Sequence, residues 1–226
     1  METRVLQEAI EQLVAGMVPG QRTMLGLAGA PGAGKSTVSA HLLAALGGRA
    51  VVVPMDGYHL ANTELARLGC ADRKGAPHTF DAPGYVAMLA RLRQRVPGEV
   101  VYAPEFRREI EEAVAGAIAV PPEVDLVITE GNYLLLDQGP WAGVRAQLDA
   151  VWYIDIDDDV RRERLVARHV RYGRTVEQAW EWVLRSDEPN AVLVAASRAR
   201  ADVVIAGIPG EPGKPAELGG GHNSGR

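Results

Sequence analysis

At 226 residues, 47% hydrophobic and 5% aromatic, the chain has material for one compact α/β domain with a small lid and too little for two full domains. A net charge of −5 leaves no broad basic surface, which argues against nucleic acid or an anionic membrane as partners and requires any bound anion to be held by a local cluster. Only three of the 24 basic residues are lysines, Lys35, Lys74 and Lys214, and the two cations are not interchangeable around phosphate, so the places where Lys persists are informative.

The single cysteine, Cys70, excludes an internal disulfide and a multi-cysteine metal site. The first twenty residues carry Glu2, Arg4, Glu8 and Glu11, unlike a signal peptide, and no uncharged apolar run reaches membrane-spanning length. The expectation is a cytoplasmic protein.

Val5, Leu6, Ile10, Leu13, Val14 and Met17 recur at helical spacing and predict an amphipathic first helix, capped at Thr3 and ending near Gly20. Residues 23–28 read as a buried strand, 36–46 as a helix stopped by Gly47-Gly48, and 51–55 as a second strand. From Asp56 to about Pro83 the periodicity fails apart from a short helix at 64–68, as expected of a binding segment. A helix at 85–96, short strands at 100–103 and 115–120, and core strands at 124–129, 151–156 and 203–205 follow. Helices are expected at 158–172 and 176–200, the second interrupted near Pro189.

Buried strands alternating with helices predict a doubly wound, mainly parallel five-stranded α/β sheet with helices on both faces. It forms one domain, 1–208, with a helical lid at about 158–175, before a flexible Gly/Pro-rich tail at 209–226.

Gly29-Ala30-Pro31-Gly32-Ala33-Gly34-Lys35-Ser36 matches GxxxxGK[ST], with Thr37 after it, between an apolar strand and a helical pattern. Such a loop turns backbone N–H groups onto phosphate oxygens. Its lysine reaches the β- and γ-phosphates, and its serine hydroxyl binds Mg²⁺. ATP with Mg²⁺ is the expected ligand. No Asn-Lys-x-Asp base-reading motif exists, which excludes a guanine-nucleotide switch, and Asp81-Ala82-Pro83-Gly84 matches DxxG without a strand before it.

Asp56 closes the second strand, at the sheet edge where doubly wound folds bind ligands, and that strand is expected beside the phosphate loop. Its carboxylate can accept a hydroxyl proton or hold Mg²⁺ through water; a turn-forming Asp before Gly57 is the plain alternative. Glu130 follows an apolar run on the same edge, where a carboxylate needs a metal or hydrogen bonds; capping the turn through Asn132 is its alternative. His59 and His78 flank the same region, and Trp180 and Trp182 read as packing.

Arg161, Arg164, Arg168 and Arg171 fall within one helix face roughly 80° wide, and only Arg161 has an acid, Asp157, four residues earlier. The stripe suits a lid whose arginines, Arg164 and Arg168 above all, take up charge on a transferring phosphoryl group.

The phosphate loop, Met55-Asp56-Gly57-Tyr58, the segment from Arg73 to Asp81, Pro104-Glu105-Phe106 and Ile128-Thr129-Glu130-Gly131-Asn132-Tyr133 occur in an order that resembles the uridine kinase, phosphoribulokinase and pantothenate kinase superfamily. Residues 23–208 look most similar to bacterial fructose or nucleoside kinases of that group. The resemblance implies a P-loop NTPase fold, Asp56 as general base, Glu130 with Ser36 supporting Mg²⁺, and the 73–81 loop over the acceptor. Arg73, Lys74, His59, Glu130 and Asn132 are then acceptor-site candidates, and Arg174 resembles the end of the lid. One departure stands out: Arg107-Arg108 follow Phe106 where those families carry small or acidic residues, pointing to an anionic acceptor or to two solvated arginines.

The expected activity is transfer of the γ-phosphate of ATP to a hydroxyl of a small molecule: a sugar such as fructose, a nucleoside or a pantothenate-like alcohol. A regulatory nucleotide-binding protein and a P-loop insertion chaperone are the other classes. The oligomeric state is open, a homodimer included. Lys35 fits the phosphate cradle and Lys74 the acceptor loop, whereas Lys214 lies in the tail.

Overall fold

A computed structural model describes residues 2–207; the expected tail at 209–226 lies outside the described residues. Strands β1 (Thr23–Ala28), β2 (Ala50–Val52), β5 (Leu126–Gly131), β6 (Ala150–Asp155) and β7 (Val203–Ala206) form a five-stranded sheet in the order β2-β5-β1-β6-β7, parallel at every pairing. β3 (Val101–Arg107) and β4 (Glu112–Val120) pair antiparallel as a separate two-stranded hairpin.

The strands are apolar on both sides because both faces are covered. Met24, Val127, Val151 and Tyr153 point into one core, with helix α4 (Ala82–Gln94), the base of the hairpin and the segment from Tyr133 to Leu148. Leu25, Leu27, Leu126, Ile128, Trp152 and Ile154 point into the other, beneath α1 (Glu2–Gly16) and α2 (Lys35–Leu46).

Helix α1 is already formed at Glu2, so Thr3 lies inside it and is not its cap. Helix α4 starts three residues before the expected 85 because Asp81 Oδ1 accepts from the Gly84 N–H and Pro83 fits the first turn. The DxxG match is thus a helix cap. The second strand stops at Val52, and Met55–Tyr58 is a 3₁₀ turn. Nor does β2 lie beside the strand that feeds the phosphate loop: β5 separates them.

The short helix in the binding segment is α3 (Asn62–Arg67), and α5 (Asp158–Arg171) follows β6. Asp157 caps α5 by accepting from the Asp159 and Val160 N–H groups. The long final helix resolves into α6 (Val176–Trp182), a π-turn at Val183–Asp187 and α7 (Glu188–Ala195), with Pro189 in the first turn of α7. Among the described residues no helix is long and apolar enough to cross a membrane.

Candidate functional site

Register places the site. Leu27 faces Glu130 and Ala28 faces Gly131, so the phosphate loop leaves β1 level with the acidic end of β5. Gly32 and Gly34 take φ of +82° and +93°, conformations that favour glycine. A Cβ on Gly32 would also stand 2.9 Å from the Arg161 carbonyl oxygen and from Leu165 Cγ, so α5 closes directly over the loop.

Lys35 opens α2 and turns back over the loop. Its Nζ donates to the carbonyls of Gly29 (2.8 Å) and Ala30 (3.1 Å) and to Asn132 Oδ1 (2.7 Å). Burial pushes its proton affinity down to about 8, against the pull of Glu130 and Asp56. Glu130 accepts from Ser36 Oγ (2.9 Å) and Ser39 Oγ (3.2 Å), and its burial raises its affinity for a proton. Of the two alternatives posed for Glu130, the hydrogen-bonded carboxylate is the one observed; Asn132 Oδ1 accepts from Lys35 and does not cap the turn. Among the described residues no three His, Cys, Asp or Glu side chains gather into a metal cluster. A divalent cation at Ser36 and Glu130 would therefore be completed by phosphate oxygens and water, and this hydroxyl–carboxylate pair fits such a hard cation.

Asp56 sits in the 3₁₀ turn after β2, pressed against the hairpin so closely that a Cβ on Gly57 would collide with the Pro104 carbonyl. Arg108 Nη2 stands 3.7 Å from its Oδ2. His59 gives its Nδ1 to the Asp56 carbonyl (2.7 Å) and stacks between Phe80 and Phe106, at 4.0 and 4.6 Å; burial lowers its proton affinity. Lys74 donates to Asn62 Oδ1 (2.6 Å) and the Glu111 carbonyl and lies 5.2 Å from the Phe106 ring centre, tying the acceptor loop to the hairpin tip.

These groups line one cleft of about 790 Å³. It brings together Pro31, Gly32, Gly34, Lys35, Ser36 and Thr37 with Asp56, His59, Lys74, Glu130, Asn132, Arg164, Arg168 and Arg171. Ala30 and Ala33 face a smaller cavity of about 310 Å³ on the other side of the loop. Arg73 and His78 are exposed and line neither.

Arg161 departs from the expected stripe. Its side chain is 2% exposed and bridges Asp158 (2.9 Å) and Glu188, away from the cleft, and Asp157 is occupied as the helix cap. Helical spacing defined the face but not the neighbour, which comes from α7. Arg168 stays in the cleft with its buried Nε lacking a hydrogen-bond partner, and burial and nearby Arg108 lower its proton affinity.

Sequence reasoning missed three contributors. Trp182 lines the cleft and carries the Arg174 guanidinium 3.9 Å above its ring, so it is more than packing. His169 meets Asp187, at the π-turn, at 2.9 Å. Asn62 lines the cleft and holds Lys74; nothing near it in sequence signals this.

The Phosphoribulokinase / Uridine kinase family model matches residues 24–211. The chain is 36% identical over 196 residues to a "putative uridine kinase" of Schizosaccharomyces pombe, covering 82% of this chain and 83% of that one. It is 26% identical to a uridine kinase of Halobacterium salinarum, with 80% and 78% covered. A crystal structure of a "putative fructose transport system kinase" from Silicibacter sp. TM1040 superposes with a TM-score of 0.78 at 36% identity, over 88% of this chain and 98% of that one. With the phosphate loop, the acidic end of β5 and the parallel sheet all in place, the chain belongs to the phosphoribulokinase/uridine kinase family.

Proposed function

We propose that this protein moves the γ-phosphate of ATP to a hydroxyl group of a small molecule. The observation that carries the reading is the convergence of Asp56, Lys35 and Glu130 on one cleft, close enough for both carboxylates to pull on the lysine's proton. Phosphoryl transfer needs positioning and charge neutralisation more than covalent chemistry, and these residues supply both.

The loop N–H groups and the α2 N-terminus bind the phosphates. Lys35 leaves the Gly29 and Ala30 carbonyls for phosphate oxygens, a stronger partner for an ammonium. Asp56 accepts the acceptor's hydroxyl proton as the oxygen–phosphorus bond forms and the bridging bond to ADP breaks. Arg164 and Arg168, on the helix that closes over the loop, take up charge on the moving group and exclude water. Mg²⁺, held through Ser36 and Glu130, would supply further charge neutralisation on the phosphate oxygens.

The test is ADP release with MgATP against sugars, nucleosides and pantothenate-like alcohols, for wild type and Asp56→Asn. The substitution is expected to lower turnover about 10²- to 10⁴-fold with ATP affinity preserved. Equal turnover in the two proteins refutes the base assignment; no ADP above background with any acceptor favours a regulatory nucleotide-binding protein.

A further inference from the structure

The two arginines after Phe106 part company in the fold. Arg107, near the hairpin tip, points outward to Glu105 at 3.5 Å and lines no part of the cleft. Arg108 turns inward. It lies 3.7 Å from Asp56 and 5.9 Å from the Phe106 ring centre, and its charge is felt at Lys35, His59 and Arg168.

A guanidinium among so many cations is repelled by them and favours an anionic partner. Seven Lys and Arg side chains line it against four carboxylates, a local excess of positive charge in a chain of net charge −5. A triphosphate with its divalent cation would neutralise about two of those charges, near the phosphate loop. Arg108 stands beside the candidate base, near enough to Arg168, whose buried Nε has no hydrogen-bond partner, for the two charges to repel.

We infer that Arg108 binds a carboxylate or phosphate carried by the acceptor, so that the substrate is a compact hydroxylated anion and not a neutral alcohol. This rests on the phosphotransferase reading above. The geometry also limits size. A hydroxyl bonded to Asp56 Oδ2 and an anionic oxygen bonded to Arg108 Nη2 lie within hydrogen-bond reach of atoms 3.7 Å apart, so in that arrangement the two are separated by no more than about 9 Å. Phe106 and His59 offer flat apolar surface to the carbon skeleton between them.

Two measurements on the full chain test this. In the first, malonate and inorganic phosphate are titrated calorimetrically into protein saturated with Mg²⁺ and the β,γ-imido analogue of ATP, which keeps the probes off the phosphate loop. At least one probe is expected to bind, to weaken at least about tenfold in Arg108→Gln, to recover in part in Arg108→Lys, and to be unchanged in Arg107→Gln. Which probe binds separates carboxylate from phosphate. Binding of neither, or equal binding in wild type and Arg108→Gln, overturns the inference.

The second compares ADP release with glucose, gluconate and glucose 6-phosphate, and with erythritol, erythronate and erythritol 4-phosphate. An anionic member is expected to have the higher kcat/KM, and Arg108→Gln to remove that preference through KM. Preference for the neutral members overturns the anionic acceptor and leaves the phosphotransferase standing. Absence of ADP release with every member and with the nucleosides and pantothenate-like alcohols as well, while Arg108-dependent anion binding persists, overturns the phosphotransferase reading and leaves the anion site.

Discussion

Lys35 makes stability depend on pH in a calculable way. Burial lowers its proton affinity from an ordinary 10.5 to about 8 in the folded chain. Between those values the unfolded chain holds a proton that the folded chain has released, so raising the pH stabilises the fold. At pH 7 the buried ammonium costs about 3 kcal/mol of stability, and at pH 9.5 about 1 kcal/mol, a difference of about 2 kcal/mol from this one group.

Lys35→Met keeps the chain length and removes the charge. Urea unfolding at pH 7.0 to 9.5 is the assay. Burial holds Tyr58, Tyr85 and Tyr133 protonated well above their usual range in both proteins, so their contribution cancels in the comparison. The wild-type unfolding free energy should climb relative to Lys35→Met by about 2 kcal/mol, or about 4–8 °C in Tm for a chain of this size. Saturating MgATP should flatten the difference, because phosphate oxygens favour the charged form. Parallel pH profiles for the two nucleotide-free proteins would refute the reasoning.

Three other outcomes are expected. Arg161→Met should destabilise the fold by about 1–3 kcal/mol in urea unfolding, because it removes an almost fully buried guanidinium from Asp158 and Glu188 while Arg162 still holds Glu188 at 2.9 Å; a change under about 0.5 kcal/mol contradicts that account. Gly32→Ala should weaken ATP binding, measured by calorimetry, at least about tenfold, because the methyl group strains a φ of +82° and drives against Arg161 and Leu165 of α5; unchanged affinity would show that loop and helix can separate freely. Lys74→Arg should raise the acceptor KM with little effect on ATP affinity, since a planar guanidinium cannot reproduce the paired bonds to Asn62 and the Glu111 carbonyl; unchanged acceptor kinetics would make the lysine incidental.

What the sequence revealed about this site follows the range over which each part is determined. The phosphate loop is contiguous, and its glycines, lysine and serine carry their own geometry, so strand, loop and helix fall where the motif puts them. Glu130 was legible because it lies at the carboxyl end of an apolar strand, and Asp56 because it follows another, although it stands in the 3₁₀ turn beyond that strand and does not close it. Strand order was not, since nothing within β2 says that β5 and not β1 is its neighbour. The roles of Arg161, Arg107 and Arg108 were also hidden. Arg161 is claimed by Glu188 from a helix that begins 17 residues after its own ends, and the hairpin tip alone decides which of two adjacent arginines turns inward. Arg73 shows the converse, a motif residue whose loop is in place while its side chain faces solvent.

The hairpin contributes no backbone hydrogen bond to the five-stranded sheet. Its base is anchored by Val101, Ala103 and Val120 in the core, while residues 105–114 stand outboard, beyond the register shift between Ala103 and Glu105. The phosphate loop is woven into the central strands, whereas Arg108 is mounted at the tip of a separate hairpin whose base alone enters the core. On the proposed assignment of Arg108, exchanging residues 105–114 would retune the choice of acceptor without unpicking a single rung of the sheet beneath the phosphate loop.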